Sequence, residues 1–418
     1  MDQQPDKPAF KTALFYWLKL GCISFGGPAG QIAIMHSGLV EKRRWINEHQ
    51  FADALGFFML LPGPEAQQLA TYLGWKLHGI KGGLMAGILF ILPSILIMLA
   101  LSMLYVRFGN YTEAGAILKF LRPAVLAVIV AAFIKMIKPF RESQPHLIAT
   151  FIAFVGMTFL SIPFPLLIVS ALVAGWLFPS GANNRIHDLP LQSTQHSSGL
   201  KVFISGIALL FLPMTFVVIM KQDFSFWSTL ALFFTKTACI TFGGAYAVLP
   251  YVAQESVNHY GWLTSTQMID GLALGETTPG PLVMVLSFVG FMAGYTTYDH
   301  NILFGAATLL FTVWYTFLPG FVFVLTGAPY VTRVSSSVRM QGILRMVRAT
   351  VAGVILNLGF VFGKSVLLNF EGGLDWQSLA WFAVVLLVAY KKWVSVPLIV
   401  LLSAVAGLLF QYIKMRMG

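Results

Sequence analysis

Residues 19–27 read KLGCISFGG and residues 236–244 read KTACITFGG, an offset of 217 residues (236 − 19). Without a gap, the same offset lays Trp45 on Trp262, Gln50 on Gln267, Asp53 on Asp270 and the triplet Pro62-Gly63-Pro64 on Pro279-Gly280-Pro281. After a small insertion, Pro93 pairs with Pro319 and Arg122 with Arg348 at an offset of 226. The chain is therefore a tandem duplication, and whatever one half folds into, the other must approximate. The expected division is an N-terminal repeat at 1–178, a polar linker with one additional helix at 179–226, and a C-terminal repeat at 227–418.

The solvent follows from composition. Of 418 residues, 57 % are hydrophobic and 10 % charged, too few polar groups to cover the apolar surface in water. An all-α polytopic membrane protein is expected. Runs at 83–105, 147–160 with 163–178, 201–220 and 302–326 have the length or pairing of bilayer-spanning helices, which need roughly 20 apolar residues. The start, MDQQPDKPAF, has acids and prolines where a secretory signal carries a basic region, so no cleaved leader is expected. Two cysteines make no disulfide framework. The net charge of +11 is read through the tendency of basic residues to collect in cytoplasmic loops, with the lipid bilayer and not nucleic acid as the partner.

Loop charge then orients the halves. The connections EKRRWINEH (41–49) and WKLHGIKGG (75–83) are basic, whereas their counterparts NHYGWLTST (258–266) and GYTTYDHN (294–301) carry no Lys or Arg. Inverted topology is expected, with the extra helix at 200–220 starting the second half from the opposite face. PYVTRVSSSVRM (329–340) and YKKW (390–393) then fall in the cytoplasm. The terminal KMRMG falls outside, against the rule, but short terminal charges weigh little against several loops.

If 41–49 and 75–83 share a face, the chain between them must enter the membrane and return. Residues 51–61 and 65–75 are 11 residues each, about 16 Å of helix at roughly 1.5 Å per residue, or half a bilayer. The Pro-Gly-Pro triplet is then the tip of a re-entrant hairpin at mid-depth, with Pro64 tolerated in the first turn of the returning helix. Such irregular backbone survives only where protein buries it or a wet cavity faces it. The double glycines Gly26-Gly27 and Gly243-Gly244 read as a second pair of breaks. Each break starts a helix whose N-terminal N–H groups suit an anion. Broken helices meeting at the midplane of inverted repeats are the build of a secondary transporter, although glycines also permit close helix packing with no ligand involved.

The segments FGGPAGQIAIM (25–35), EKRRWI (41–46), LPGPEAQQLATYLGW (61–75) and LFILPS (89–94), with the echoes TFGGAYAVLP (241–250) and DGLALGETTPGPL (270–282), resemble the chromate ion transporter family in its long, two-domain form. The resemblance covers nearly the whole chain. It implies a multi-pass protein of the bacterial inner membrane that expels chromate and so confers resistance, with sulfate as the look-alike anion and no cofactor. An anion channel, or an exporter or exchanger of another oxyanion such as sulfate, is the alternative. A homodimer is compatible with the sequence. A membrane enzyme would require a nucleophile or metal constellation, and neither a ligand set nor a nucleotide-binding loop is evident.

Candidate site residues come from breaks and intramembrane charges, which are costly enough to read as functional first. Gly26, Gly27, Gly63, Gly243, Gly244 and Gly280 would offer backbone to the anion, and Gln67, with Gln31 and Gln68, amide donors. Lys19 and Lys236 form one symmetric cationic pair, Arg122 and Arg348 another, with Lys119 and Arg345 a turn earlier. They read either as neutralising a tetrahedral dianion or as snorkelling lysines and salt-bridged arginines. Asp53 and Asp270 read as helix caps. Glu65, after the first triplet, and Glu276, before the second, would carry a coupled proton or simply match a helix dipole. This unequal placement makes the half-sites chemically different. Cys22 and Cys239 read as packing residues, and His36 as packed or hydrogen-bonded rather than titrating.

Overall fold

The computed structural model describes residues 8–25, 27–58, 61–109, 111–177, 199–242, 244–330, 338–368, 373–391 and 393–417. Gly26, Gly243 and most of the linker between the halves lie outside these residues, so the expectations placed on them stay with the sequence. Among the described residues all regular structure is helical apart from one isolated bridge, Leu368 to Leu374. Six helices are long and apolar enough to cross a membrane.

In the first half, α1 (Phe10–Ile23) stops at Ser24 and the chain restarts as α2 (Gly27–His36). Next come α3 (Glu48–Phe58), the triplet, and α4 (Glu65–Phe108). The 44 residues of α4 are two arms, because backbone angles leave the helical region at His78 and Gly79. Gly74 in the first arm lies against Gly82 and Ala86 in the second, so the chain folds back there. The half closes with α5 (Thr112–Ile137), α6 (Gln144–Phe159) and α7 (Phe164–Leu177).

The second half repeats this order after α8 (Gly199–Ile219). Helices α9 (Phe224–Ile240) and α10 (Ala245–Ala253) match α1 and α2, and α11 (Ser265–Thr277) matches α3. Helices α12 (Val285–Thr297) and α13 (Ile302–Gly327) match the two arms of α4. Last come α14 (Val338–Leu367), α15 (Trp376–Lys391) and α16 (Val396–Met417), which match α5 to α7. The duplication reaches fine detail. The π-helical turns Ser37–Lys42 and Gln254–His259 stand at the same offset of 217 residues (254 − 37).

The halves interlock instead of sitting side by side. Helix α5 packs on α15 and α16 of the second half, and α14 packs reciprocally on α6 and α7 of the first. Lipid tails are as apolar as leucine, so burial alone cannot hold these crossings, and small residues that let backbones approach take over that task. Gly175 on α7 meets the backbone of Ile343 on α14, and Gly407 on α16 meets the backbone of Ala116 on α5. The extra helix α8 packs on α13, where Trp314 and Tyr315 donate to the carbonyls of Leu209 and Leu210 at 3.1 and 2.6 Å. Large apolar side chains such as Phe151, Phe159, Leu200, Leu232, Leu303 and Leu401 stay exposed, as a lipid-facing surface requires.

Candidate functional site

The broken helices define the centre. Helix α1 ends on Ser24 (φ −82°, ψ 76°) and α9 on Thr241 (φ −79°, ψ 88°), so the two breaks share one geometry. A helix C-terminus leaves carbonyls without intrahelical partners, and in a membrane nothing but protein or trapped water can satisfy them. Each hairpin tip supplies the missing donor to the opposite half. The Gly63 amide donates to the Thr241 carbonyl at 2.7 Å, and the Gly280 amide donates to the Ser24 carbonyl at 2.7 Å. Both glycines sit at positive φ, +126° and +97°, where a side chain is strained.

Polar side chains brace the tips. Gln68 donates its amide to the Pro62 carbonyl at 2.7 Å, Gln67 donates to the Thr71 hydroxyl at 3.1 Å, and Gln31 donates to the carbonyls of Ser24 and Gly280. Ser94, next to Pro93 in α4, donates to the Pro279 carbonyl. Gly320, at the corresponding place beside Pro319, approaches Gln67 and Gln68 instead. The amides of the triplet glycines Gly63 and Gly280 and the glutamine N–H groups expected to face an anion are therefore engaged here with backbone and Thr71. The buried Oε1 atoms of Gln31, Gln67 and Gln68 accept nothing.

The charged residues fall into unlike sets. Arg122 on α5 makes a two-pronged ion pair with Asp270 on α11, Nε to Oδ1 at 2.8 Å and Nη2 to Oδ2 at 3.0 Å, and the Tyr105 hydroxyl donates to Oδ2 at 2.9 Å. Asp270 is thus no helix cap; Thr264 and Gln267 fill that role with a reciprocal capping box. The repeat counterparts do not copy this arrangement. Asp53 pairs with His49 at 3.2 Å, and Arg348 makes no ion pair among the described residues. Glu276, near the end of α11, accepts from the Tyr246 hydroxyl.

Lys19 and Lys236 are exposed on α1 and α9, with the Lys236 ammonium 5.5 Å from the Tyr251 ring centre. No hydrogen bond or ion pair joins either lysine to the tips among the described residues. Gly27 and Gly244 follow the breaks at φ +70° and +98°, with open space where a side chain would stand. His36 pairs with Glu48 at 2.8 Å, and the described residues hold no metal-binding group of His, Cys, Asp and Glu.

A cavity of about 710 Å³ opens beside this cluster, lined among others by Tyr105, Trp262, Gln267, Tyr295, Thr296 and His300. Tyr105 joins the cavity to the ion pair. Repeat analysis could not have found Tyr105, Tyr246 or Ser94, because the matching positions hold Val331, Ala29 and Gly320.

Two homologous halves, broken helices that cap each other across the middle, and ionisable groups buried among apolar helices define a multi-pass membrane transport protein rather than an enzyme. The family model described as Chromate transporter matches residues 12–176 and 228–408, and the chain belongs to that family. It is 30 % identical over 421 residues to the chromate transport protein of Pseudomonas aeruginosa, covering 96 % of this chain and 93 % of that one. It is 29 % identical over 399 residues to the chromate transport protein of Cupriavidus metallidurans, covering 95 % and 92 %. An uncharacterized transporter of Methanocaldococcus jannaschii is 26 % identical, covering 97 % and 96 %. No solved structure matches the chain.

Proposed function

We propose that this protein exports chromate across the bacterial inner membrane as a secondary transporter of inverted repeats, with sulfate as the competing tetrahedral dianion. The observation that carries the reading is the reciprocal pair of bonds from Gly63 to Thr241 and from Gly280 to Ser24, which ties two symmetry-related break points into one centre. Family membership and the names of the two bacterial relatives supply the substrate. Inversion is supported by the basic loop at 41–49 against its uncharged repeat partner. The anion's negative charge calls for Arg348 and Arg122. Gly27 and Gly244, with open space beside them, are the backbone positions where an oxyanion could approach. Glu65 and Glu276 are the acids placed to exchange a proton during the cycle.

A coupled carrier is favoured over a channel because Tyr105, in the cavity wall, closes its hydroxyl onto the Asp270–Arg122 pair. The test is chromate uptake into inside-out membrane vesicles under separately imposed pH and potential gradients. Accumulation against a gradient, competed by sulfate, is expected. Flux that only relaxes its own gradient would replace the carrier with a channel, and sulfate transport without chromate transport would replace the substrate.

A further inference from the structure

The arginine fork that meets Asp270 has the geometry of an oxyanion site already filled by a carboxylate. Three donors, Nε and Nη2 of Arg122 and the Tyr105 hydroxyl, converge on two oxygens at 2.8, 3.0 and 2.9 Å. Two oxygens of a tetrahedral dianion present a similar spacing to the same fork, and Arg binds either bidentately. Access differs between the partners: the Arg122 side chain is 31 % exposed and that of Asp270 is 1 % exposed. Tyr105 lines the cavity, and its hydroxyl reaches the Asp270 carboxylate that the guanidinium holds.

We propose that Asp270 occupies the place of the transported oxyanion at Arg122 and Tyr105, and that an arriving anion displaces it, the freed carboxylate taking up one proton as it leaves. The proposal rests on the oxyanion-transport reading above and assigns the coupling proton to a residue different from Glu65 or Glu276. Its second support is internal. The duplicated pair, Asp53 with Arg348, stands in the released arrangement: Asp53 has turned to His49 and Arg348 makes no ion pair among the described residues. The fold therefore holds this Asp–Arg combination joined in one half-site and apart in the other.

The charge balance is simple. Arg122 keeps its proton throughout. An ionised Asp270 beside a dianion would be repelled by it, and a protonated one would not. One proton therefore enters for each dianion bound, and leaves when Asp270 retakes the fork. Arg122 from α5 and Tyr105 from α4 are the ionisable groups that meet the carboxylate. The other helices packed on α11, namely α12, α14 and α16, bring no ionisable partner to it among the described residues.

The experiment is calorimetric titration of purified wild-type protein with sulfate, a dianion without oxidising chemistry, in two buffers of unlike ionisation heat. Uptake of about one proton per sulfate is expected, with affinity falling as pH rises, by up to about tenfold per unit for one linked proton. Asp270→Asn should bind sulfate with that proton uptake gone, and Tyr105→Phe should bind more weakly with it retained. Wild-type binding without proton uptake would overturn the proposal and leave the transport reading standing. So would uptake that persists in Asp270→Asn. Binding of neither sulfate nor chromate would bring down the transport reading itself, and this inference with it.

Discussion

Gly280→Ala should weaken the protein at its centre, by an amount the structure lets us work out. Gly280 stands at φ +97°, and an L-residue forced into that region pays about 1–2 kcal/mol. The new methyl would land on the Ser94 hydroxyl, which now donates to the Pro279 carbonyl, and losing that bond adds about 1 kcal/mol. If the tip shifts to relieve the clash, the 2.7 Å bond from the Gly280 amide to the Ser24 carbonyl goes too. That adds about 1 kcal/mol, the low end of the range for a buried orphan, because Gln31 still donates to the same carbonyl. The sum is about 3–4 kcal/mol, or about 6–8 °C at roughly 2 °C per kcal/mol for a unit the size of one half. The assay is the temperature at which half the detergent-purified protein leaves the monodisperse peak of a size-exclusion column. Gly363→Ala, in α14 with open space around it, is the control and should be neutral or slightly stabilising. Ser94→Gly, which installs the residue found at the matching position Gly320, should return about 1 kcal/mol to the Gly280→Ala background. If Gly280→Ala melts with the wild type, the tip is not held as described.

Cysteines introduced at 41–45 and at 258–262 should be labelled from opposite sides of the membrane by an impermeant reagent; labelling from one side would end the inverted-repeat model. Arg348→Gln and Arg122→Gln should both abolish chromate resistance, but only Arg122→Gln strands a buried carboxylate, at a cost of about 3–5 kcal/mol. Its melting temperature should therefore fall well below that of Arg348→Gln, and adding Asp270→Asn should restore much of it, whereas equal melting of the two variants would contradict the asymmetry. Tyr246→Phe should alter the response of export to an imposed pH gradient if Glu276 handles a proton, since it removes that carboxyl's hydrogen-bond donor; an unchanged response argues for a purely structural Glu276.

The duplication was legible in the sequence because it rests on residue identity at a fixed offset, and the helix breaks because glycine and proline interrupt helices for local reasons. The fold-back at His78-Gly79 was legible as a basic, glycine-rich connection. What could not be read was which half each polar group serves. Asp53 and Asp270 look like caps within their own helices, yet Asp270 pairs with Arg122 on a helix of the other half. The triplet glycines look free to meet a ligand, yet their amides close on carbonyls that lie 178 (241 − 63) and 256 (280 − 24) residues away. Repeat comparison equates positions across the halves and is blind to contacts between unlike positions. For the same reason Tyr105 left no trace, since its counterpart is a valine.

The cross-half bonds also set a timetable for biogenesis. The partner of Ser24, Gly280, is made 256 residues later (280 − 24), roughly 13–50 s at about 5–20 residues per second. Over that interval the first half must wait in the bilayer with a severed helix end and the α14-facing surfaces of α6 and α7 bare. The nascent first half is therefore an unfinished unit whose central bonds and packing wait on the second triplet.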